Sequence, residues 1–479
     1  MKKIELFVLL LILILGLAVR LYKIDRPIAD WHSWRQADTA AVARNFIKEG
    51  FNPLIPRYDD MSSQANGLDN PQRYRFVEFP IYNSLVAFVW SLTGVREIYA
   101  RLTTVFITLG SGVLLYLLVR YYSGKTVAAL STLFFAIIPY NIFYSSAILP
   151  GPLMVLGLLG LYLAFSKWLE NTKSLSWILI SIFFANLAIL TWPIALFFVL
   201  PLVYLAYSRY GWAMIKKGHL WFFAISSIVP FVAWRMWITQ FPQGIPSWQF
   251  LINADNIRFK GAFFRWLIAE RMGKLILTVG GFTLFILGLL IKPTKKEGLF
   301  YLSWLASIAL YFAVFASGNV RHDYYQVPLI PIAAVLMAKG TIFLFNLNSK
   351  MFNRTLGPIL AIALILMTLA FGFFEVRGFY WINRPQIVAA GRAVDSLLPG
   401  DATVIAPYNG DAAFLYQTNR HGYPIVDRSL EKFIEQGTKY LVSVDVADPG
   451  IQNLARHCKV IEQTPDYVIV EMFKECIGK

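Results

Sequence analysis

Thiols are the scarcest resource of this chain: its 479 residues include two cysteines, Cys458 and Cys476, both near the C-terminus. Two cysteines build neither a disulfide scaffold nor a structural zinc site, which takes about four ligands. One bridge between them is open if that end lies in an oxidising compartment, and two unpaired thiols are open otherwise. Charge is the next shortage. Only 15% of residues are charged, against about 25% in a soluble globular domain, which excludes an ordinary water-soluble globule. Acid is scarcer than base, 28 Asp plus Glu against 44 Lys plus Arg, for a formal charge of +16. In a soluble chain that surplus would suggest nucleic acid, but no nucleic-acid motif accompanies it. Cytoplasmic-loop bias and anionic lipid headgroups account for it instead. The glycine patterns of phosphate-binding loops and dinucleotide folds are also missing, which argues against an ATP-driven pump. No internal repeat or low-complexity tract interrupts the chain.

What is present is apolar, 57% of the residues, with 16% aromatic. Runs of about 20 apolar residues can cross a hydrocarbon core; several follow one another here, so the chain reads as a polytopic α-helical membrane protein. Candidate helices cover residues 4–22, 80–94, 98–119, 126–145, 149–166, 174–191, 193–207, 220–238, 273–291, 299–317, 325–345 and 356–375. The first is too long for a signal-peptide core and lacks a small-residue cleavage site, so it is expected to remain as a signal anchor. Lys and Arg in short loops mark the cytoplasmic side. They occur as Lys2 and Lys3, Arg120 and Lys125, Lys167 and Lys173, Arg209 with Lys216 and Lys217, Lys292 with Lys295 and Lys296, and Lys350 with Arg354. The first loop (24–79), residues 145–150, the Trp192-Pro193 turn, residues 239–272, residues 318–324 and the tail beyond 376 then fall outside. Parity demands an odd number of crossings between the first loop and Arg120. The segment from Pro80 to Gly94, about 15 residues, is short for a span, and is expected to be half-inserted or folded back. About eleven crossings among twelve or thirteen helices result.

After residue 376 the apolar runs shorten to strand length, as in ATVIAP, KYLVSV and DYVIVEMF, with polar helical stretches between them. The expected organisation is a transmembrane domain over 1–375, whose first loop carries short interfacial helices, and a soluble extracytoplasmic α/β domain over 376–479.

Polar chemistry collects on the side opposite the basic loops. In HSWRQADTAAVARNF, Asp38 precedes a helical pattern that ends near Gly50, so its oxygen can cap free backbone amides. Alternatively its neighbours His32, Trp34, Arg35 and Gln36 suit a saccharide, with rings stacking and fork donors and amides reading hydroxyls. Asp38 can then serve as a general base. Glu78 lies just before Phe79-Pro80, where the chain re-enters the apolar layer; a carboxylate there needs a partner, and Arg73 and Arg75 are nearest in sequence. Asp59 and Asp60 fit either an acidic metal-binding pair or a surface turn. The stretch GNVRHDYYQVPLIP gathers Arg321, His322, Asp323, Tyr324 and Tyr325 at a helix mouth. Arginine there suits a phosphate, as a lipid carrier would present it; a helix end snorkelling through an aromatic belt is the plainer alternative. His322 can ligate a metal, protonate a leaving group, or do neither. The loop from Gln243 to Lys274 adds Arg258, Lys260, Arg265, Arg271 and Lys274.

The succession HSWRQADTAAVARNF, NPLIPRYDD, VEFPIYN, LPGPLM and RHDYYQVPLIP resembles the bacterial and archaeal branch of the GT-C membrane glycosyltransferases, relatives of the protein O-mannosyltransferases and the lipid A aminoarabinose transferase. The resemblance covers residues 1–345, roughly, and rests on five motifs in order. It implies an inverting transferase that moves a hexose or pentose from a polyprenyl-phosphate carrier to an extracytoplasmic glycolipid, polysaccharide or protein, in a cell (inner) membrane. The family's catalytic acid falls on Asp38, its second acid on Glu78, and a middle acid of the loop on Asp59. The phosphate-side motif falls on Arg321, His322, Asp323, Tyr324 and Tyr325. One departure is Gly151, where relatives often carry an acid. His32, Trp34, Arg35 and Gln36 are expected to support the substrate. It implies no definite cofactor, and a divalent metal is left open, with Glu78 and His322 as candidate ligands. A transporter or flippase of lipid-linked sugars is the competing expectation, and a scaffold of a cell-envelope complex a third. Broken mid-bilayer helices and inverted repeats would mark the transporter.

Overall fold

All twelve apolar segments are helical in the computed structural model, which describes residues 3–347 and 355–477. Lys2, Lys350 and Arg354, used above to assign sides, lie outside the described residues. Helix α1 spans Lys3–Arg20, and several later segments are broken. Pro139 lacks an amide hydrogen and ends the Lys125–Ile137 helix before the short Pro139–Tyr144 helix. The carbonyls released at that break are taken by Arg20, buried at the end of α1, which donates to Ala136 O at 2.8 Å and to Ser145 Oγ at 2.6 Å. The chain around 265–290 is bent by 111° between Gly261–Ile276 and Thr278–Leu290. Among the described residues six helices are long and apolar enough to cross a membrane, or seven if that bent pair is one span. Shorter apolar helices of 10–17 residues include α3 (Ile81–Thr93), the segment expected to fall short of a full crossing.

The chain divides into two compact units. A helical unit holds Met1–Ile24, Arg101–Arg235 and Trp248–Gly378. In it the helices Thr278–Leu290 and Ile330–Phe345 approach backbone to backbone: an added Cβ at Gly288 would lie 1.8 Å from Leu336 O, and one at Gly340 2.0 Å from Leu284 O. Small residues at a helix contact serve where lipid offers no hydrophobic drive to pair.

A polar unit holds Asp25–Ala100, Met236–Ser247 and Phe379–Lys479. The first loop therefore clusters with the tail. The tail strands are β1 (Thr403–Ile405), β2 (His421–Tyr423), β3 (Tyr440–Ser443), β4 (Lys459–Gln463) and β5 (Val468–Glu471), in the order β2-β1-β3-β5-β4. β1 runs parallel to β2 and β3, while β5 runs antiparallel to β3 and β4. The β-branched runs TVI and VIV and the YLVS strand fill the middle of the sheet. β4, with its charged Lys459 and Glu462, stands at one edge as a guard against strand addition. The other edge is extended by the first loop. Gly422 in β2 donates to Asp59 O at 3.0 Å and accepts from Met61 N at 2.8 Å. Glycine is required there, since a Cβ would lie 1.8 Å from Val404 O.

Cys458 and Cys476 form a disulfide with Cα atoms 5.0 Å apart, packed into a core of Ile405, Phe433, Leu441 and Val470. The bridge ties the start of β4 to the last short helix, Lys474–Ile477, across a sequence separation of 18. Replacing both cysteines with serine should lower stability by about 2–4 kcal/mol, read by probes in the tail as a denaturation midpoint earlier than that of the oxidised wild type; equal midpoints would deny the bridge a stabilising role.

Candidate active site

Helix α2 (Ser33–Lys48) carries the alanines Ala37, Ala40, Ala41 and Ala43, strong helix formers, and stops before Gly50 at φ 97°. It is buried along most of its length although Arg35, Gln36, Asp38, Thr39, Arg44 and Asn45 lie on it. A helix that polar and that buried must find a partner for each charge. The partners come from the rest of the first loop.

Asp38 Oδ2 accepts from Arg75 Nη2 at 2.5 Å, its only hydrogen bond among the described residues. Arg75 in turn rests over the Tyr58 ring, 5.0 Å from its centroid. One nitrogen of Arg35 donates to both Glu78 oxygens, at 2.7 and 2.8 Å. Arg35, Asp38, Arg75 and Glu78 line one cleft, with Thr39 and Asn83. Burial raises the Asp38 pKa above the usual carboxylate value; the Arg75 and Arg35 charges pull it down without cancelling that rise. The result is a carboxylate held by an arginine on one oxygen, in a cleft, with an affinity for protons above the ordinary.

Further along α2, Arg44 donates to Asp59 at 2.5 Å and to Tyr416 O at 3.0 Å, and lies 4.2 Å from the Tyr416 ring centroid. Asp59 also accepts from Asn45 at 3.0 Å and faces His421 Nδ1 at 3.5 Å. Burial alone would raise Asp59, but Arg44, His421 and Asn45 hold it down at about 2. His421 Nε2 reaches Glu49 at 3.2 Å. Burial works against the charged imidazole, yet Asp59 and Glu49 outweigh it and raise His421 above its ordinary value, with Arg73 opposing. Asp60 has no cation beside it: it accepts from Ser62 N and Gln64 Nε2, and burial pushes it up to about 6. In the tail, Asp411 caps the helix Ala412–Gln417 and accepts from Ser33 Oγ at 2.9 Å.

The helical unit has its own polar cluster. Asp323, 1% exposed, accepts from the Tyr144 hydroxyl, and the Tyr140 hydroxyl donates to its backbone carbonyl. Arg271 places Nη1 3.6 Å from Asp323 and donates through Nη2 to Val320 O at 2.9 Å. Its buried Nε has no hydrogen-bond partner among the described residues. His322, Tyr324, Tyr325 and Trp192 stack at centroid distances of 4.9–6.3 Å. The Trp192 indole also fills the space over Gly151, where a Cβ would meet it at 3.1 Å. The position that carries an acid in relatives is thus covered by a ring.

Several expectations change. Asp38 is not a helix cap, because α2 begins five residues earlier, at Ser33. Glu78 pairs with Arg35, not with Arg73 or Arg75. Asp59 and Asp60 are buried, 4% and 2% exposed, so neither belongs to a surface turn. Gln36 donates to Asp30 at 2.8 Å and to Trp31 O at 3.0 Å, which makes it a brace for the start of α2. Trp34 and His32 are half-buried at that start, His32 with φ 54°. Arg321 has a half-exposed side chain and faces Asp255 at 3.8 Å; Arg271 is the arginine beside Asp323. Motif reading named Arg75 only as a partner for Glu78, and passed over His421 and Asp411. The run of arginines before Glu78 signalled the first; nothing local signalled the others. Glu78 commits both oxygens to Arg35, and the described residues contain no group of three His, Cys, Asp or Glu able to hold one.

The His421 network sets a pH window. Asp59, lowered in the fold from about 3.9, contributes stability above that value and loses it as pH falls towards about 2. His421, raised in the fold, contributes fully below about 6.5 and loses it as pH rises through its folded value. The whole protein in detergent should therefore melt highest between about pH 4 and 6.5 and lower above it. His421→Gln should flatten the alkaline decline; an unchanged decline in that variant would remove the imidazole from the account.

Comparison with known proteins places the fold. The profile of the dolichyl-phosphate-mannose-protein mannosyltransferase family matches residues 77–237, about one third of the chain. No curated protein sequence matches it. Among solved structures, ArnT from Cupriavidus metallidurans bound to undecaprenyl phosphate superposes with a TM-score of 0.63 at 15% identity, over 98% of this chain and 99% of that one. The oligosaccharyltransferase of Archaeoglobus fulgidus in its apo form gives 0.56 at 13% identity, over 96% of this chain and 73% of that one. The same archaeal enzyme, AglB, in complex with an inhibitory peptide and a dolichol-phosphate gives 0.56 at 12%, over 93% and 70%. With its apolar spans, its small C-terminal sheet and these superpositions, the chain is a multi-pass membrane protein whose fold is that of the GT-C glycosyltransferases.

Proposed function

We propose that this protein is an inverting glycosyltransferase that moves a sugar from a polyprenyl-phosphate carrier to an acceptor hydroxyl or amine on the extracytoplasmic side of a cell membrane, with Asp38 as general base. The observation that carries the reading is Asp38 itself: a buried carboxyl group, held by Arg75 on one oxygen, lining a cleft in a chain of this fold. The structural relatives ArnT and AglB have been solved bound to undecaprenyl phosphate and in complex with a dolichol-phosphate, respectively, which supports a carrier of that class. The acceptor heteroatom attacks the anomeric carbon from the face opposite the phosphate. Its bond to the sugar forms as the sugar–phosphate bond breaks, and its proton passes to Asp38. The carrier departs as polyprenyl phosphate with one more negative charge than it brought. No nucleotide is consumed, since the phosphate is already a competent leaving group. Orientation and charge stabilisation supply most of the acceleration, and a positioned base adds about 10²- to 10⁴-fold. Glu78 fixes Arg35 at the same cleft.

For the leaving phosphate, Arg271 is the better candidate than Arg321. Its guanidinium is mostly buried, braced by Val320 O and Asp323, with an Nε that lacks a partner among the described residues. Tyr324, Tyr325 and Trp192 offer apolar ring surface for the sugar or the first isoprenoid unit. The disulfide favours an oxidising compartment for the tail, in agreement with the basic loops on the other side.

Two measurements test these separate claims. The donor is identified first, as the carrier-linked sugar that accumulates in cells lacking the protein. In vesicles supplied with that donor, Asp38→Asn should lower kcat by about 10²- to 10⁴-fold, with polyprenyl phosphate release falling in step; near-normal release would dismiss Asp38 as base. A carrier that crosses the bilayer with its sugar still attached would turn the reading towards a flippase. Arg271→Gln should raise the donor KM by about 10- to 100-fold, the worth of one charge-assisted hydrogen bond, and an unchanged donor KM would return the phosphate to another residue.

A further inference from the structure

We infer that Arg75 is the positioning residue of the transfer site: it fixes the Asp38 carboxylate by one oxygen so that the other stays open to the acceptor's proton. The inference rests on the reading of Asp38 as base and goes one step beyond it, to the residue that makes a buried aspartate usable.

The geometry is specific. Arg75 Nη2 holds Asp38 Oδ2 at 2.5 Å, and no hydrogen bond reaches Oδ1 from the described residues. The arginine is itself fixed from two directions. Its backbone amide donates to Pro56 O at 2.9 Å, and its guanidinium lies over the Tyr58 ring at 5.0 Å. Tyr58 is 2% exposed, so that platform does not swing. Arg75 Nε is buried without a hydrogen-bond partner among the described residues, although a carboxylate lies against the same guanidinium. Here one nitrogen holds Asp38 end-on, which leaves the carboxylate half engaged.

The contrast with Arg35 in the same cleft sharpens the point. Arg35 sets one nitrogen against both oxygens of Glu78, whereas Arg75 touches a single oxygen of Asp38. The same cleft thus contains one carboxylate hydrogen-bonded on both oxygens and one hydrogen-bonded on one. The charges that act on Asp38 are Arg75 from the segment before α3, Arg35 from its own helix, and Asp59 from the middle of the loop. Glu78 lines the same cleft; Asp60 and Asp411 are anions that feel Asp38 in turn. Arg35 is neutralised by Glu78, which leaves Arg75 as the cation committed to Asp38. Burial favours the protonated acid, so removal of Arg75 drives Asp38 further towards the form that cannot accept a proton.

The test is the pH profile of kcat and KM in vesicles for the wild type, Arg75→Lys and Arg75→Gln, alongside Asp38→Asn. The acid limb of kcat should move to higher pH in the order wild type, lysine, glutamine. At neutral pH kcat should fall in the same order, by about 100-fold for glutamine, the lower range of a positioned base. The acceptor KM should change far less than kcat. Infrared difference spectra give a readout independent of turnover. The protonated carboxyl band that Asp38→Asn abolishes should appear at a higher pH in Arg75→Gln than in the wild type. Equal losses in the lysine and glutamine variants with an unmoved acid limb would make Arg75 a structural residue and overturn the inference. Should the glutamine variant not fold, Arg75→Lys decides alone: a partial shift of the limb supports the inference, and a wild-type limb with wild-type kcat overturns it. If Asp38→Asn keeps near-normal transfer, the base assignment itself fails; an inactive Asp38→Asn beside an unshifted Arg75→Gln fails the inference only.

Discussion

Three ions on one buried helix govern the polar unit. Arg35, Asp38 and Arg44 lie on α2, and each is neutralised by a residue of the loop that follows it, Glu78, Arg75 and Asp59 respectively. An unpaired charge in such a place costs several kcal/mol in practice, so the loop cannot drift without leaving one behind. A long connection that would otherwise be free to move is pinned at three points. The catalytic assignment follows from the difference between the three pairs. Arg35 engages its partner's two oxygens, Arg44 shares Asp59 with Asn45 and His421, and Arg75 leaves one oxygen of Asp38 unengaged.

The tail completes the arrangement. Arg44 reaches the Tyr416 carbonyl, His421 faces Asp59 and Glu49, and Gly422 exchanges backbone hydrogen bonds with the segment around Asp59 and Met61. These contacts turn the first loop into an added edge of the sheet. The sheet gains a guard at its β2 side, and the loop gains a rigid backing, which is how a site built from loop residues can hold an arginine in place.

The helices were legible because each apolar run is long and continuous, and a run of that kind has few structures open to it in lipid. Breaks within runs were less so, although Pro139, Pro201 and Pro331 stand at three of them. Of the strands, TVI, YLVS and VIVE announced themselves by β-branched content. β2, with the letters HGY, and β4, with the polar KVIEQ, did not, because their places are set by neighbours and not by propensity. Asp38 and Glu78 were visible through motif order. Their partners were not, since an ion pair between Arg35 and Glu78 bridges 43 positions and spacing says nothing at that range. Arg321 stands in a suggestive neighbourhood of letters, and its side chain is half exposed.

The pairing of Gly422 with the chain around Asp59 also fixes an order of events. The first loop is made before the tail, so the edge strand of the sheet and the carbonyl that Arg44 needs do not exist until the residues around 416 to 422 have been made. Until then Arg44 lacks one of its acceptors and Asp59 lacks His421. Asp38 and Arg75 both lie in the first loop and pair without any tail residue, so what the last residues add is the backing behind that pair and not the pair itself.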